Sequence, residues 1–129
     1  MNLLLDTCAI LALAEGTLPK RAAKSLTTAR TAIVPAMVVW ELAIKVKTGK
    51  LHLPDSPVKW TEKLCSHYSL ELQRHSPDID ILCAAVDLPL IHRDPFDRVL
   101  VALALHLQAP ILTSDRLIKQ YPGISVMWS

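Results

Sequence analysis

Residues 3–15 of the chain read LLLDTCAILALAE, an apolar run that stops at Asp6 and continues into an alanine-rich stretch. The run 3–5 lacks the alternation of a strand with one solvated face, so it predicts a strand that is covered on both faces. The stretch 7–14 predicts a short helix that ends near Gly16. A buried strand followed by a helix is the repeating unit of a parallel α/β sheet.

The same unit repeats along the chain. Further apolar runs, interpreted as strands, lie at 32–34, 90–91, 110–113 and 124–128, with a weaker candidate at 70–72. Helices are predicted at 19–30, 36–47, 56–66, 76–87 and 94–107, with a short one ending at Gln120. In the helix 36–47, Met37, Trp40 and Ile44 are spaced to form one face. The pattern predicts a single domain over residues 1–129, a three-layer α/β/α sandwich around a mostly parallel sheet.

Composition excludes several protein classes. With 51% hydrophobic and 20% charged residues the chain is not intrinsically disordered, and its 3 glycines exclude a glycine-rich phosphate loop. Three cysteines without C-x-x-C spacing make neither a disulfide framework nor a zinc knuckle, which favours a reducing, cytoplasmic compartment. The sequence predicts neither a signal peptide nor a membrane span. The net charge of +2 is compatible with an anionic partner.

Acidic residues are few, 12 in all, yet several fall where an apolar run ends. These are Asp6, Asp94, Asp97 and Asp115, and Glu41 lies on the second turn of the helix after the second run. Because the carboxyl ends of parallel strands share one edge of the sheet, these carboxylates are expected to converge. Their repulsion calls for a cation, and Mg²⁺ or Mn²⁺ suits a site made of oxygen ligands. The sequence thus predicts metal-dependent phosphodiester hydrolysis.

Four strings carry a resemblance to a known family. They are Leu4-Leu5-Asp6-Thr7, Trp40-Glu41-Leu42-Ala43, His92-Arg93-Asp94-Pro95-Phe96-Asp97-Arg98 and Leu112-Thr113-Ser114-Asp115. In this order and spacing they resemble PIN-domain proteins, and among these the VapC-type toxins of bacterial toxin–antitoxin pairs. The resemblance implies an α/β/α sandwich and an Mg²⁺- or Mn²⁺-dependent endoribonuclease that pairs as a homodimer. It also implies neutralisation by a VapB-type antitoxin.

The same resemblance assigns roles to individual residues. It implies that Asp6, Glu41, Asp97 and Asp115 form an acidic quartet, in which Asp6 and Asp97 hold the metal. Glu41 and Asp115 would complete the acidic cavity. Thr7, Asp94 and Thr113 are expected to support the quartet, Thr113 through its hydroxyl group.

Structural interpretations of these residues remain open. Asp94 is also a favourable helix N-cap before Pro95, and Asp97 would then lie in the first turn. Asp115 could cap the segment that follows it, and Glu41 with Lys45 forms an ordinary i, i+4 pair. The five histidines show no metal-ligand spacing, so each is expected to be a surface or partly packed residue.

Basic residues near the acidic edge are candidates for RNA phosphate contacts. They are Lys45, Arg93, Arg98 and Arg116. Aromatic residues make up only 5% of the chain, so base stacking cannot be the main means of recognition. Two rival classes are a signalling receiver domain, which lacks its paired acids and its lysine here, and a catalytically silent PIN-like binding module.

Overall fold

Five parallel strands and six α-helices alternate along the chain in the computed structural model, which describes residues 1–129. The elements in chain order are β1 (Asn2–Leu5), α1 (Thr7–Glu15), α2 (Lys20–Thr28), β2 (Thr31–Pro35), α3 (Ala36–Lys47), α4 (Pro57–Tyr68), β3 (Glu71–Gln73), α5 (Ile79–Val86), α6 (Pro95–Leu107), β4 (Ile111–Leu112), a 3₁₀ turn (Ile118–Gln120) and β5 (Val126–Met127).

The strand order is β3-β2-β1-β4-β5, with β1 at the centre and every pairing parallel. The chain builds outward from β1 to β3, then crosses back to add β4 and β5 on the other side of β1. The order therefore reverses between β1 and β4. In open α/β sheets this reversal leaves a crevice outside the carboxyl ends of the two strands, where such folds bind ligands.

Helices cover both faces of the sheet, as the continuous apolar run of β1 predicts. Leu3 and Leu5 pack into a core cluster with residues of α1 to α4, whereas Leu4 packs into a second cluster with residues of α5 and α6. All three leucines are fully buried. This arrangement confirms the three-layer α/β/α sandwich, with a sheet that is wholly rather than mostly parallel.

The third strand lies at β3, so the interpretation of residues 90–91 as a strand is wrong. These two residues form a turn in which the Ile91 N–H donates to the Pro89 carbonyl, and Leu90 is 93% exposed. The weaker candidate supplies the strand instead, because Val34 of β2 pairs in register with Leu72. An apolar run of two residues after a proline is too short to distinguish a strand from a turn.

The three apolar residues that share one face of α3 in the sequence pattern, Met37, Trp40 and Ile44, differ in burial. Trp40 is 63% exposed and Ile44 is exposed, while Met37, Val38 and Leu42 are buried. Helix α3 lies at the boundary of the two core clusters, with Met37 in one and Val38 and Leu42 in the other. A helix buried on two sides shifts its apolar face away from the simple i, i+3, i+7 stripe.

Helix α5 begins later than its sequence suggests. Asp78 rather than Ser76 is its N-cap, and the Asp78 side chain accepts a hydrogen bond from the Ile81 N–H. The longest helix, α6, has 13 residues, and none of the helices combines the length and apolar character needed to traverse a bilayer.

Candidate metal centre

Asp6 lies where the central strand β1 passes into α1, at the crevice between β1 and β4. It caps α1 by accepting the Thr7 N–H at Oδ1 over 2.7 Å. Its other oxygen, Oδ2, accepts the Thr113 hydroxyl over 2.7 Å. Leu5 and Leu112 are register partners, which is why the residues that follow them meet. Asp6 is thus held from both sides of the crevice.

The segment after β4 supplies the second carboxylate. The fully buried Thr113 accepts the Asp115 N–H at its hydroxyl oxygen over 3.1 Å while it donates to Asp6. Asp115 accepts the Leu117 N–H at Oδ1 over 2.9 Å, which closes a turn. Its Oδ2 points to His92. Thr113 therefore couples the positions of Asp6 and Asp115.

The start of α6 supplies the third carboxylate. Asp94 is the N-cap of this helix and accepts the Phe96 N–H over 3.0 Å, as its capping interpretation predicts. Asp97 lies in the first turn, with its side chain 13% exposed. The positive end of the helix dipole favours acidic groups at both positions. Asp94 supports the centre through the cap, while Asp97 faces the other carboxylates.

His92 is a member of the cluster that the sequence did not reveal. Its Nε2 is 2.9 Å from Asp97 Oδ2 and 2.8 Å from Asp115 Oδ2. The Asp94 N–H donates to Nδ1 over 3.1 Å, and the His92 N–H donates to the Tyr121 hydroxyl. In the sequence His92 opens the string His92–Arg98 and lies two residues before the capping Asp94, but nothing in that string assigned it a role.

Burial and like charge perturb the cluster. Burial, with the charges of Asp6, Asp94 and Asp115, raises the pKa of Asp97 to about 8, although His92 opposes the rise. Burial also raises the pKa of Asp6, against the hydrogen bonds from Thr113 and Thr7 that favour its ionised form. Such a concentration of repelling carboxylates is typical of a functional site.

The same aspartates also change the pKa of His92. Burial disfavours its charged form, but the hydrogen bond to Asp115 and the charges of Asp97, Asp115 and Asp94 together raise its pKa.

Glu41 approaches the cluster without entering its hydrogen-bond network. Its charge contributes to the raised pKa of Asp6, and its side chain makes no hydrogen bond. No ion pair joins Glu41 to Lys45, so the i, i+4 pair considered from the sequence does not form. Glu41 is thus near enough to Asp6 to act on it through its charge, and it has no polar partner of its own.

Cys8 is a further residue that sequence reasoning assigned to packing alone. Its Sγ lies 3.9 Å from Asp6 Oδ2, 3.6 Å from Thr113 Oγ1 and 3.5 Å from the Ser114 nitrogen. It fills the gap between the ends of β1 and β4. The odd cysteine count gave no hint of this position.

The donor set suits a hard divalent cation. Ligand atoms of His92, Asp97 and Asp115 all lie within 4.8 Å of one another, and Asp6 is joined to Asp115 through Thr113. Carboxylate oxygens are the ligands of Mg²⁺ and Mn²⁺. The triad contains two members of the predicted quartet, Asp97 and Asp115, and the charge of Asp6 is the largest of those that raise the pKa of Asp97.

The predicted RNA-contacting cations differ in availability. Arg93 and Arg116 are exposed and Lys45 is half-buried, and none of the three donates a side-chain hydrogen bond. Arg98 instead donates to four carbonyl groups at the end of α5. A polar groove of about 530 Å³ borders Thr113 and Asp115; Arg21, Arg116, Lys119 and Trp128 line it.

Comparison with known proteins gives one family and several similar folds. The PIN domain family model matches residues 3–124. A search of curated protein sequences found no match. The chain is similar in fold to VapBC2 from Rickettsia felis, bound to a DNA fragment from their promoter (TM-score 0.66, 16% identity, 100% of both chains).

Two further solved structures have the same fold. FitAcB from Neisseria gonorrhoeae has a TM-score of 0.63 and 17% identity, over 96% of this chain and 95% of that one. PAE2754 from Pyrobaculum aerophilum has a TM-score of 0.61 and 18% identity, over 98% of this chain and 89% of that one.

Proposed function

The chain belongs to the PIN domain family, and from that premise we propose that it is an endoribonuclease that depends on Mg²⁺ or Mn²⁺ and acts as a single domain over residues 1–129. PIN domains are generally nucleases. The observation that carries the proposal is the meeting of Asp6, Asp97 and Asp115 at the crevice between β1 and β4, with the pKa of Asp97 raised to about 8. Such a cluster is stabilised by a divalent cation.

The carboxylates would hold the ion, and hydrogen bonds to the backbone, Thr113 and His92 orient them. A bound divalent ion offsets the negative charge that develops on a phosphodiester and makes water a better nucleophile. Asp97 and Asp115 each present one oxygen to the Nε2 of His92, and the charge of Asp6 is the largest of those that raise the pKa of Asp97. Glu41 would orient the attacking water through its unengaged carboxylate.

The exposed cations beside the cluster support RNA as the substrate. Arg93 and Arg116 flank the acidic residues, and the groove beyond Asp115 adds Arg21 and Lys119. Phosphate-led binding weakens steeply with salt. Lys45 remains a candidate contact, and Arg98 is the least available of the four predicted cations because its guanidinium is engaged.

Removal and restoration of metal tests the activity. Cleavage of RNA is expected to stop in EDTA and to return with Mg²⁺ or Mn²⁺. D97N is expected to lower the rate by at least about a hundredfold, whereas D80N, in the exposed first turn of α5, keeps the wild-type rate. Equal cleavage by wild type and D97N would instead favour a catalytically silent binding module.

The products identify the nucleophile. Attack by water leaves a 3′-hydroxyl and a 5′-phosphate. A 2′,3′-cyclic phosphate would show attack by the ribose 2′-hydroxyl of the RNA and would contradict the proposed chemistry.

We further propose that the protein is the toxin of a toxin–antitoxin pair and that a VapB-type antitoxin neutralises it. The fold similarity to VapBC2 and to FitAcB supports this partner. Cys8, Cys65 and Cys83 are all free thiols, which supports action in the reducing cytoplasm. Expression is expected to arrest growth, and co-expression of the adjacent gene to relieve it. Absence of arrest under strong expression would contradict the toxin role.

A second copy of the chain is the proposed partner of the apolar surface formed by α3, α5 and the start of α6. Its exposed side chains are Trp40, Ile79, Leu82, Val86 and Leu90. Beside them a groove of about 430 Å³ is lined by Trp40, Leu82 and Phe96. Continuous exposed apolar surface is typical of an interface. Light scattering is expected to give a dimer for the wild type and a monomer for V86D.

A further inference from the structure

Three contacts orient the His92 imidazole, and a fourth holds the backbone of the residue. Its Nδ1 accepts the Asp94 N–H, its backbone N–H donates to the Tyr121 hydroxyl, and Nε2 faces Asp97 and Asp115. The side chain is 14% exposed. A ring held in this way has little freedom to turn while those contacts persist.

The hydrogen bonds define which nitrogen carries the proton. A nitrogen that accepts an N–H must present its lone pair, so Nδ1 is unprotonated and Nε2 bears the hydrogen. The Nε2–H therefore donates to the two carboxylates, at 2.9 Å and 2.8 Å. A metal ligand would need its lone pair on Nε2 and its proton on Nδ1, which would set two N–H groups against each other at Asp94.

From these contacts we propose that His92 is a positioning residue that holds Asp97 and Asp115 together as a hydrogen-bond donor, and that a divalent ion must displace it to bind. The proposal rests on the metal-dependent function proposed above. One N–H draws together the two oxygens that would hold the ion, and it offsets their repulsion. Donor and ion compete for the same lone pairs, so the imidazole lowers the affinity for metal.

Two substitutions distinguish the hydrogen bond made by Nδ1 from the hydrogen bonds made by Nε2. In H92N the side-chain carbonyl can replace Nδ1 and accept the Asp94 N–H, but no donor reaches the carboxylates. In H92Q the amide nitrogen can replace Nε2 and donate to them. H106N is the matched control, because His106 is exposed in the last turn of α6 and makes no side-chain hydrogen bond.

Calorimetric titration of the metal-free protein with Mg²⁺ at one fixed pH gives the readout. H92N is expected to bind Mg²⁺ about tenfold more tightly than wild type, since the hydrogen bonds from Nε2 to the carboxyl oxygens of Asp97 and Asp115 no longer have to break. H92Q and H106N are expected to match wild type. Weaker or unchanged binding by H92N would overturn the proposal.

The titration also separates this proposal from the function on which it rests. Wild-type protein that binds neither Mg²⁺ nor Mn²⁺ would refute the metal-dependent nuclease, and the role of His92 with it. Wild-type binding that D97N abolishes and H92N weakens would retain the nuclease and make His92 a ligand.

Nitrogen-15 NMR of the wild-type imidazole shows which ring nitrogen carries the proton, and this measurement does not depend on a variant that folds. Without metal the ring is expected to carry its proton on Nε2. On addition of Mg²⁺ the proton is expected to stay there while its hydrogen bond is lost. Transfer of the proton to Nδ1 would show coordination through Nε2 and would overturn the proposal.

Discussion

Arg98 holds the backbone of residues 85–89, which leads from α5 to His92 and the candidate metal centre, and this role can be measured. Its Nη1 donates to the Pro89 carbonyl over 2.9 Å, and its Nη2 donates to the carbonyls of Ala85, Val86 and Leu88 over 2.9, 3.3 and 3.0 Å. These groups end α5 and form the turn that leads to His92. One planar guanidinium thus binds four backbone carbonyls, two in the last turn of α5 and two in the connection that follows it.

The cost of removing this side chain follows from those contacts. A hydrogen bond from a charged donor contributes about 1.5–3 kcal/mol, and bonds that share one donor group are not additive. We expect R98A to lower the free energy of unfolding by about 2–3 kcal/mol. For 129 residues, an unfolding entropy of about 2.1 cal/mol/K per residue converts this loss to a Tm about 7–11 °C lower.

Urea denaturation followed by circular dichroism measures the loss directly. R98K keeps the charge but cannot satisfy four carbonyls, so about half of the loss is expected to remain. R30K is the control, because Arg30 is exposed and its side chain makes no hydrogen bond. If R98K unfolds at the same urea concentration as wild type, the guanidinium does not hold this turn, and Arg98 returns to the RNA-binding candidates on equal terms.

Three further predictions follow from the same site. In chelator, the free energy of unfolding is expected to fall as pH rises from about 4 to about 8. The reason is that the pKa of Asp97 is raised from 3.8 to about 8 in the folded state, which therefore binds this proton more strongly than the unfolded state does. The raised pKa of His92 acts in the same direction. D97N is expected to flatten this profile, and an unchanged slope would contradict the assignment. T113V is expected to weaken Mg²⁺ binding about 10–100-fold, because the hydroxyl that joins Asp6 to Asp115 is lost, and T113S is expected to restore it; equal calorimetric affinities would refute the coupling. D94A is expected to lower the free energy of unfolding by about 1 kcal/mol through loss of the α6 cap, and D94N by much less.

The sequence predicted most of the fold because its strands are buried on both faces. An uninterrupted run such as Leu3-Leu4-Leu5 is distinctive, and the helix start at Asp94-Pro95 has its own chemistry. The edge strand β3 is short and half exposed, so its pattern is weak. Residues 90–91 are apolar yet solvent-facing, and nothing local distinguishes that exposure from burial.

The site was less predictable than the fold, for a physical reason. Acids at strand ends can be located from the sequence because the topology of a parallel sheet brings such ends together. His92 belongs instead to the connection between α5 and α6, and Asp97 to the first turn of α6. Their positions depend on the contacts of Arg98 with backbone carbonyls before His92 and on the hydrogen bond of His92 to Tyr121, which the motif string does not show. Contacts of this kind arise only when the chain is folded.

Asp6 and Asp115 can cap a helix or close a turn and also serve the candidate metal centre, because the two oxygens of each carboxylate have different partners. Asp6 caps α1 with Oδ1 and meets Thr113 with Oδ2, and Asp115 closes its turn with Oδ1 and meets His92 with Oδ2. Each carboxylate is therefore oriented by the backbone bond at one oxygen, and this fixes the direction of the other. A substitution by alanine removes both functions at once, whereas asparagine retains an oxygen for the backbone N–H and changes only the atom that faces the centre. Loss of metal binding in D6N or D115N with an unchanged free energy of unfolding is what this division requires. Equal losses of stability in the asparagine and alanine variants would mean that the acids serve the fold alone.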